Sequence, residues 1–145
     1  MPRIILDTLT STLITYPVKI RYSDINTARH VGNDKMISLI QEARIELLTQ
    51  LGFKNDGDTA VTYVVADLGV NYKAEAFFAD ELIIEVGVSD IKEKSFDVLY
   101  KVTNTKTHHV VAEAKTGLVF LDANAGKTTQ IPAALLTAID KLSTL

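Results

Sequence analysis

The chain has 145 residues, 47% of them apolar and 23% charged, with a formal net charge of −3. That is enough apolar surface to bury one core, so a single domain over residues 1–145 is expected and general disorder is excluded. The charge balance, with no basic block, argues against a nucleic-acid partner, and the lack of any cysteine removes disulfides, thiolate nucleophiles and cysteine-based metal sites.

The opening stretch MPRIILDTLTSTLIT carries Asp7 and several threonines where a signal peptide needs an unbroken apolar run. No window approaches the roughly 20 apolar residues of a membrane span. A cytoplasmic protein without a membrane partner is expected. Residues 12–22, TLITYPVKIRY, then read as a strand, with Pro17 marking an edge or bulge position. Residues 23–32 follow as a polar loop. Over 33–51 the period changes: Met36, Ile40, Ala43, Leu47 and Leu51 form one helical stripe, widened by Ile37, Leu39 and Leu48. Asn33 is a suitable N-cap, Asp34 suits the positive end of the helix dipole, and Gly52 suits the position after the C-cap.

From about residue 60 to 121 the chain reads as a meander of four long strands. In DELIIEVGVSD, Leu82, Ile84, Val86 and Val88 alternate with Glu81, Glu85 and Ser89. In SFDVLYKVTN, Phe96, Val98, Tyr100 and Val102 alternate with Asp97, Lys101 and Thr103. The segments KEK and NTKT are short enough for antiparallel hairpins. Residues 131–143 make a closing helix with Pro132 near its first turn. One long apolar helix followed by a run of strands predicts an α+β domain whose antiparallel sheet curls around that helix.

Several blocks in the same order resemble the hotdog-fold thioesterases of the 4-hydroxybenzoyl-CoA thioesterase group. The pattern R-Y-x-D-T-D-x-x-G-H-V-N-N, followed by a helix with E-A-R, meets RYSDINTARHVGN and QEAR. The pattern V-x-Y-x-x-P-A-x-F-x-D-x-L-x-V meets VNYKAEAFFADELIIEV, and S-F-x-x-x-Y meets SFDVLY. The resemblance implies a curled sheet around one central helix and hydrolysis of an acyl-CoA or acyl-carrier-protein thioester. It further implies no tightly bound cofactor, and a homodimer or homotetramer with the pocket between subunits. Three positions depart from it. Asn26 stands where the group usually has its catalytic Asp, Arg29 where it has Gly, and Gly32 where it has the first Asn of N-N. The stretch is closer to a sub-branch with D-I-N-x-x-x-H-x-G-N-D, in which Asn is the ordinary residue.

Thioester hydrolysis needs a polarised carbonyl and an activated water. The start of the long helix offers oriented amides, so the main-chain N–H groups of Gly32 and Asn33 are the expected oxyanion donors. Asn26 has no ionisable carboxylate and can only orient a water. Asp24, two residues earlier, would point the same way in an extended segment, and is expected to brace the loop. The base is then Asp34 or Glu42, either of which also has an ordinary structural reading: a first-turn acid, or a partner for a neighbouring strand or subunit. His30 is expected to hold the loop by a hydrogen bond. His108 and His109 fall in a hairpin turn, and the three histidines are too scattered to suggest a metal site. Lys92, Lys94 and Lys101 are the candidate contacts for cofactor phosphates. Two rivals remain. One is a non-catalytic thioester-binding protein. The other is a 2-enoyl-thioester hydratase, whose G-D-x-N-P-x-H segment SDINTARH partly resembles.

Overall fold

A computed structural model describes residues 4–53 and 60–144. Strand β1 (Ile14–Lys19) is followed by a 3₁₀ turn at Tyr22–Asp24 and by helix α1 (Asn33–Gln50). Strands β2 (Val61–Tyr72), β3 (Glu81–Ser89), β4 (Ser95–Asn104) and β5 (Val110–Asp122) come next, and helix α2 (Ala133–Ser143) closes the chain. The five strands form one antiparallel sheet in the order β1-β3-β4-β5-β2.

Alternation sets the two faces of this sheet. Leu82, Ile84 and Val86 of β3, Phe96, Val98, Tyr100 and Val102 of β4, and Ala112, Ala114, Leu118 and Phe120 of β5 are buried in one cluster. The stripe of α1 completes it with Met36, Leu39, Ile40, Ala43 and Leu47. Leu135 and Ile139 of α2 join the same core. Pro17 pairs in register with Ile83 on an outer strand, where its missing N–H leaves no gap in a ladder.

Two expectations are corrected here. The four long strands are not a simple meander: β3, β4 and β5 are, but β2 pairs with β5 and lies at the far edge. The β2–β3 connection, residues 73–80, must therefore travel across the domain, and it does so past the start of α1. The N-cap of α1 is Gly32, with φ −67° and ψ 151°, and Asn33 is the first helical residue. Gly52 follows the C-cap with φ +79°, the left-handed conformation that suits glycine. Among the described residues no helix is long and apolar enough to cross a membrane.

Candidate active site

The polar loop between β1 and α1 is built on Asp24. The 3₁₀ turn folds its carboxylate back onto Arg21, whose main-chain N–H donates to Oδ2 at 2.8 Å and whose guanidinium donates to both oxygens at 3.3 and 3.1 Å. The Asp24 side chain is 4% exposed and that of Arg21 70%. Burial by itself would raise the Asp24 carboxyl. The hydrogen bonds and charge of Arg21 outweigh it and hold the group below its ordinary value. The Asp24 carbonyl also accepts the Gly32 N–H at 3.2 Å, tying the end of β1 to the start of α1. Asp24 therefore braces the loop. It does not share a direction with Asn26, because the turn replaces the extended segment that the sequence suggested: Asp24 is buried and Asn26 exposed.

This bond has a defined pH signature. A depressed folded pKa contributes stability that is complete above the unfolded value of about 3.9 and is lost as pH falls through the folded value. Asp24→Asn is expected to be about 1–2 kcal/mol less stable than the parent at neutral pH. Urea melts should show that gap closing below about pH 4. A gap that stays constant with pH would mean the charge is not what holds the turn.

Residues 25–31 close a tight loop, with the Ile25–Val31 bridge at its base and the Asn26 N–H donating to the His30 carbonyl at 2.9 Å. Asn26 Oδ1 accepts the Ala28 N–H at 2.9 Å, which leaves the side-chain Nδ2 as the end of Asn26 free to turn outward. Arg29 sits at φ +68°. This is the position where the related pattern has Gly, and the backbone gives the reason, since a Cβ is disfavoured there. Arg29 is exposed, so Arg29→Gly should raise stability by about 0.5–1 kcal/mol in thermal or urea unfolding. No gain would show that the loop has no strain to relieve.

His30 is half-buried, its Nδ1 3.1 Å from the Val31 carbonyl, and it forms a bridge with Phe77. The neighbouring Val31 N–H donates to the Ala76 carbonyl at 2.8 Å. The loop is thus fastened to the β2–β3 connection. Tyr72, at the end of β2, adds a third tie by donating its hydroxyl to the Asn33 carbonyl at 2.9 Å. Partial burial raises the Tyr72 phenol, and the charge of Asp34 raises it further. A cavity of about 230 Å³ opens here, lined among others by His30, Asn33, Met36, Tyr72, Lys73 and Glu75.

Gly32 is the hinge of the arrangement. A Cβ built on it would stand 2.7 Å from Asp34 Oδ1, 3.8 Å from Lys35 Cγ and 3.9 Å from Asn26 Cβ. Three of the expected site residues, Asn26, Gly32 and Asp34, therefore converge on one spot at the positive end of α1. The Gly32 amide is not available to an oxyanion, because it is committed to Asp24. The Asn33 N–H has no acceptor among the described residues. Glu42 is not brought in. It is exposed and lies nine residues along α1 from Asn33, about 13 Å away, with its charge felt by Arg21.

The lysines expected near a phosphate are also corrected. Lys92 and Lys94 occupy the β3–β4 turn, at the end of the sheet opposite the cavity, and Lys92 pairs with Asp90 at 3.5 Å. Lys101 lies mid-strand on the outer face. Lys73, paired with Glu113 at 2.9 Å, lines the cavity, and Lys35 lies near Gly32. The sequence reading singles out none of Tyr72, Lys73 or Glu75, although all three stand inside the VNYKAEAFF block. Among the described residues no group of three or more His, Asp or Glu gathers as a metal site.

Comparison with known proteins identifies the fold and the family. Acyl-CoA thioester hydrolase YbgC of Escherichia coli is 24% identical over 130 residues, covering 88% of this chain and 96% of the relative. Long-chain acyl-CoA thioesterase FadM of Escherichia coli K12 is 24% identical over 131 residues, covering 86% and 96%. The crystal structure of Slr0204, a 1,4-dihydroxy-2-naphthoyl-CoA thioesterase from Synechocystis, superposes with a TM-score of 0.82 at 18% identity, over 88% of this chain and 96% of that one. That likeness shows a shared hotdog fold, the curled antiparallel sheet around a helix. The model of the thioesterase-like superfamily matches residues 20–139, and the chain belongs to that superfamily.

Proposed function

We propose that this protein hydrolyses acyl-CoA thioesters at the start of α1. The observation that carries the reading is the Asn33 N–H, which has no acceptor among the described residues, at the positive end of a helix and next in the chain to Gly32, whose Cβ position Asn26 and Asp34 both approach. The thioester carbonyl oxygen accepts from this amide, where developing negative charge is favoured. Asn26 Nδ2 orients a water. Asp34 takes its proton as the oxygen attacks the carbonyl carbon. Collapse of the tetrahedral intermediate breaks the C–S bond and releases the carboxylic acid, and the departing thiolate takes up the proton. The names of YbgC and FadM favour coenzyme A over a carrier protein as the thiol, and such a substrate fits work in the cytoplasm.

The working unit in this reading is a homodimer joined through β2. Among the described residues no strand lies beside residues 63–72 of β2 on the side away from β5, and an open strand edge is a template for pairing. On its inner side Val65 and Leu68 remain 41% and 44% exposed. Phe77 and Phe78, in the connection that follows, are also exposed. The cavity of about 230 Å³ is small for an acyl-CoA site, since ligand pockets span about 300–1,000 Å³. A second copy would enlarge it. The deciding experiment is thiol release from short, medium, long and aromatic acyl-CoAs, with an acyl-carrier-protein substrate beside them. Tight acyl-CoA binding without release of thiol would sink the hydrolase reading in favour of a binding protein.

A further inference from the structure

The first turn of α1 has little packing to hold it. Asn33, Asp34 and Lys35 are all exposed, and the buried stripe of the helix begins at Met36. Within the helix the turn is closed by the Met36 N–H, which donates to the Gly32 carbonyl at 3.0 Å. From outside the helix, one hydrogen bond reaches it among the described residues. The Tyr72 hydroxyl donates to the Asn33 carbonyl at 2.9 Å. A helix end without packing or outside partners frays.

Tyr72 comes from a firm base. It is the last residue of β2 in register with β5, opposite Ala112, so the sheet fixes its main chain. Its side chain, 47% exposed, stands at the cavity with His30, Asn33 and Met36. Exposure of that extent means that the ring is not there to fill the core. Burial raises the phenol and the charge of Asp34 adds to the rise, so the hydroxyl keeps its proton and donates throughout the neutral range.

The accepting carbonyl belongs to the peptide that joins Asn33 to Asp34. A donor on its oxygen polarises that peptide and strengthens the N–H at its other end, the Asp34 amide. It also fixes the plane from which both residues extend. A catalytic group must be held within about 0.5 Å of its working place, and sites fixed to strands and helices meet that demand best.

We infer that Tyr72 is a positioning residue for hydrolysis, its hydroxyl tying the end of β2 to the Asn33–Asp34 peptide and holding the helix start in working geometry. The inference rests on the hydrolysis reading above and adds to it a residue that acts through the helix.

The test compares Tyr72→Phe and Tyr72→Leu with the parent in acyl-CoA hydrolysis and in amide hydrogen exchange. Tyr72→Phe is expected to lower kcat about 10- to 100-fold, no more than the loss of a whole oxyanion donor, with KM within about three-fold. Tyr72→Leu should match it, because the hydroxyl and not the ring carries the effect. The thermal midpoint of Tyr72→Phe should fall by no more than about 4 °C, as for one exposed hydrogen bond. The Met36 and Ile37 amides, which close the first turn, should exchange about 10-fold faster in that variant. In an Asp34→Ala background the Tyr72→Phe loss should shrink, since a group that it sets is gone. Parental kcat in Tyr72→Phe, or losses that multiply in full with Asp34→Ala, overturns the positioning role. Unchanged exchange at Met36 and Ile37 in a chain that is otherwise active overturns the tie alone. A parent chain that releases no thiol from any acyl-CoA overturns the hydrolysis reading, and the role of Tyr72 with it.

Discussion

Asp34→Ala is expected to lower the rate of thioester hydrolysis by about 10²- to 10⁴-fold, the range for removing a general base. Glu42→Ala should stay within a few-fold of the parent. The two carboxylates are on the same helix, so the contrast tests position. Asp34 Oδ1 stands 2.7 Å from the Cβ position of Gly32, at the start of the helix. Glu42 is more than two turns away and solvent-exposed. Loss of a first-turn acid also weakens the helix by about 0.3–1 kcal/mol, too little to mimic the loss of a base. Asn26 sharpens the result. Asn26→Ala should lose activity with the fold intact, since an exposed loop side chain contributes little to packing. Asn26→Asp should retain or raise it, because it places a carboxylate in the same shape. Equal effects at Asp34 and Glu42, or a reversed order, would remove Asp34 from the mechanism.

Position along the chain decided what was legible before the structure. Helix α1 was, because Met36, Ile40, Ala43, Leu47 and Leu51 repeat at helical spacing. The faces of β3 and β4 were too, because their alternation is strict. Alternation says nothing of neighbour order, however, so β2 seemed to precede β3 in a meander when it lies at the other edge beside β5. The long connection that this order requires is what brings Tyr72, Lys73 and Glu75 to the helix start. No local pattern encodes that meeting. The exchange of Gly32 for Asn33 as N-cap turned on one residue, within the ordinary slack of helix ends, but it decides which amide faces the cavity. The place of Lys92 and Lys94 was available earlier: in consecutive antiparallel hairpins the turns alternate ends, so their turn and that of His108 and His109 cannot share one. Arg44, the arginine of the QEAR block, is 8% exposed beside Tyr63 and Tyr100, and its place in a mostly apolar core is not visible in helical periodicity alone.

The β2 edge carries the other large effect. Val65 borders the bulge where the β2–β5 register shifts and Leu68 lies just beyond it, both exposed on the inner side of the sheet. A single chain has no use for them there, and placing charge on an edge is an effective way to block pairing. Val65→Lys combined with Leu68→Lys should therefore leave a folded monomer, because the two sites are open to solvent and surface changes typically shift stability by less than about 0.5 kcal/mol each. The dimer, in contrast, would have to bury two unpaired ammonium groups per copy, so its dissociation constant should rise at least 100-fold, about 2.7 kcal/mol. If the pocket is completed by the second copy, hydrolysis must fall in parallel with the dimer fraction, and dilution of the parent chain must show the same coupling. The two measurements separate assembly from chemistry. A lysine variant that is monomeric by light scattering yet turns over acyl-CoA at the parental rate would confine the whole site to one chain, and the cavity beside Asn33 would then have to be sufficient by itself.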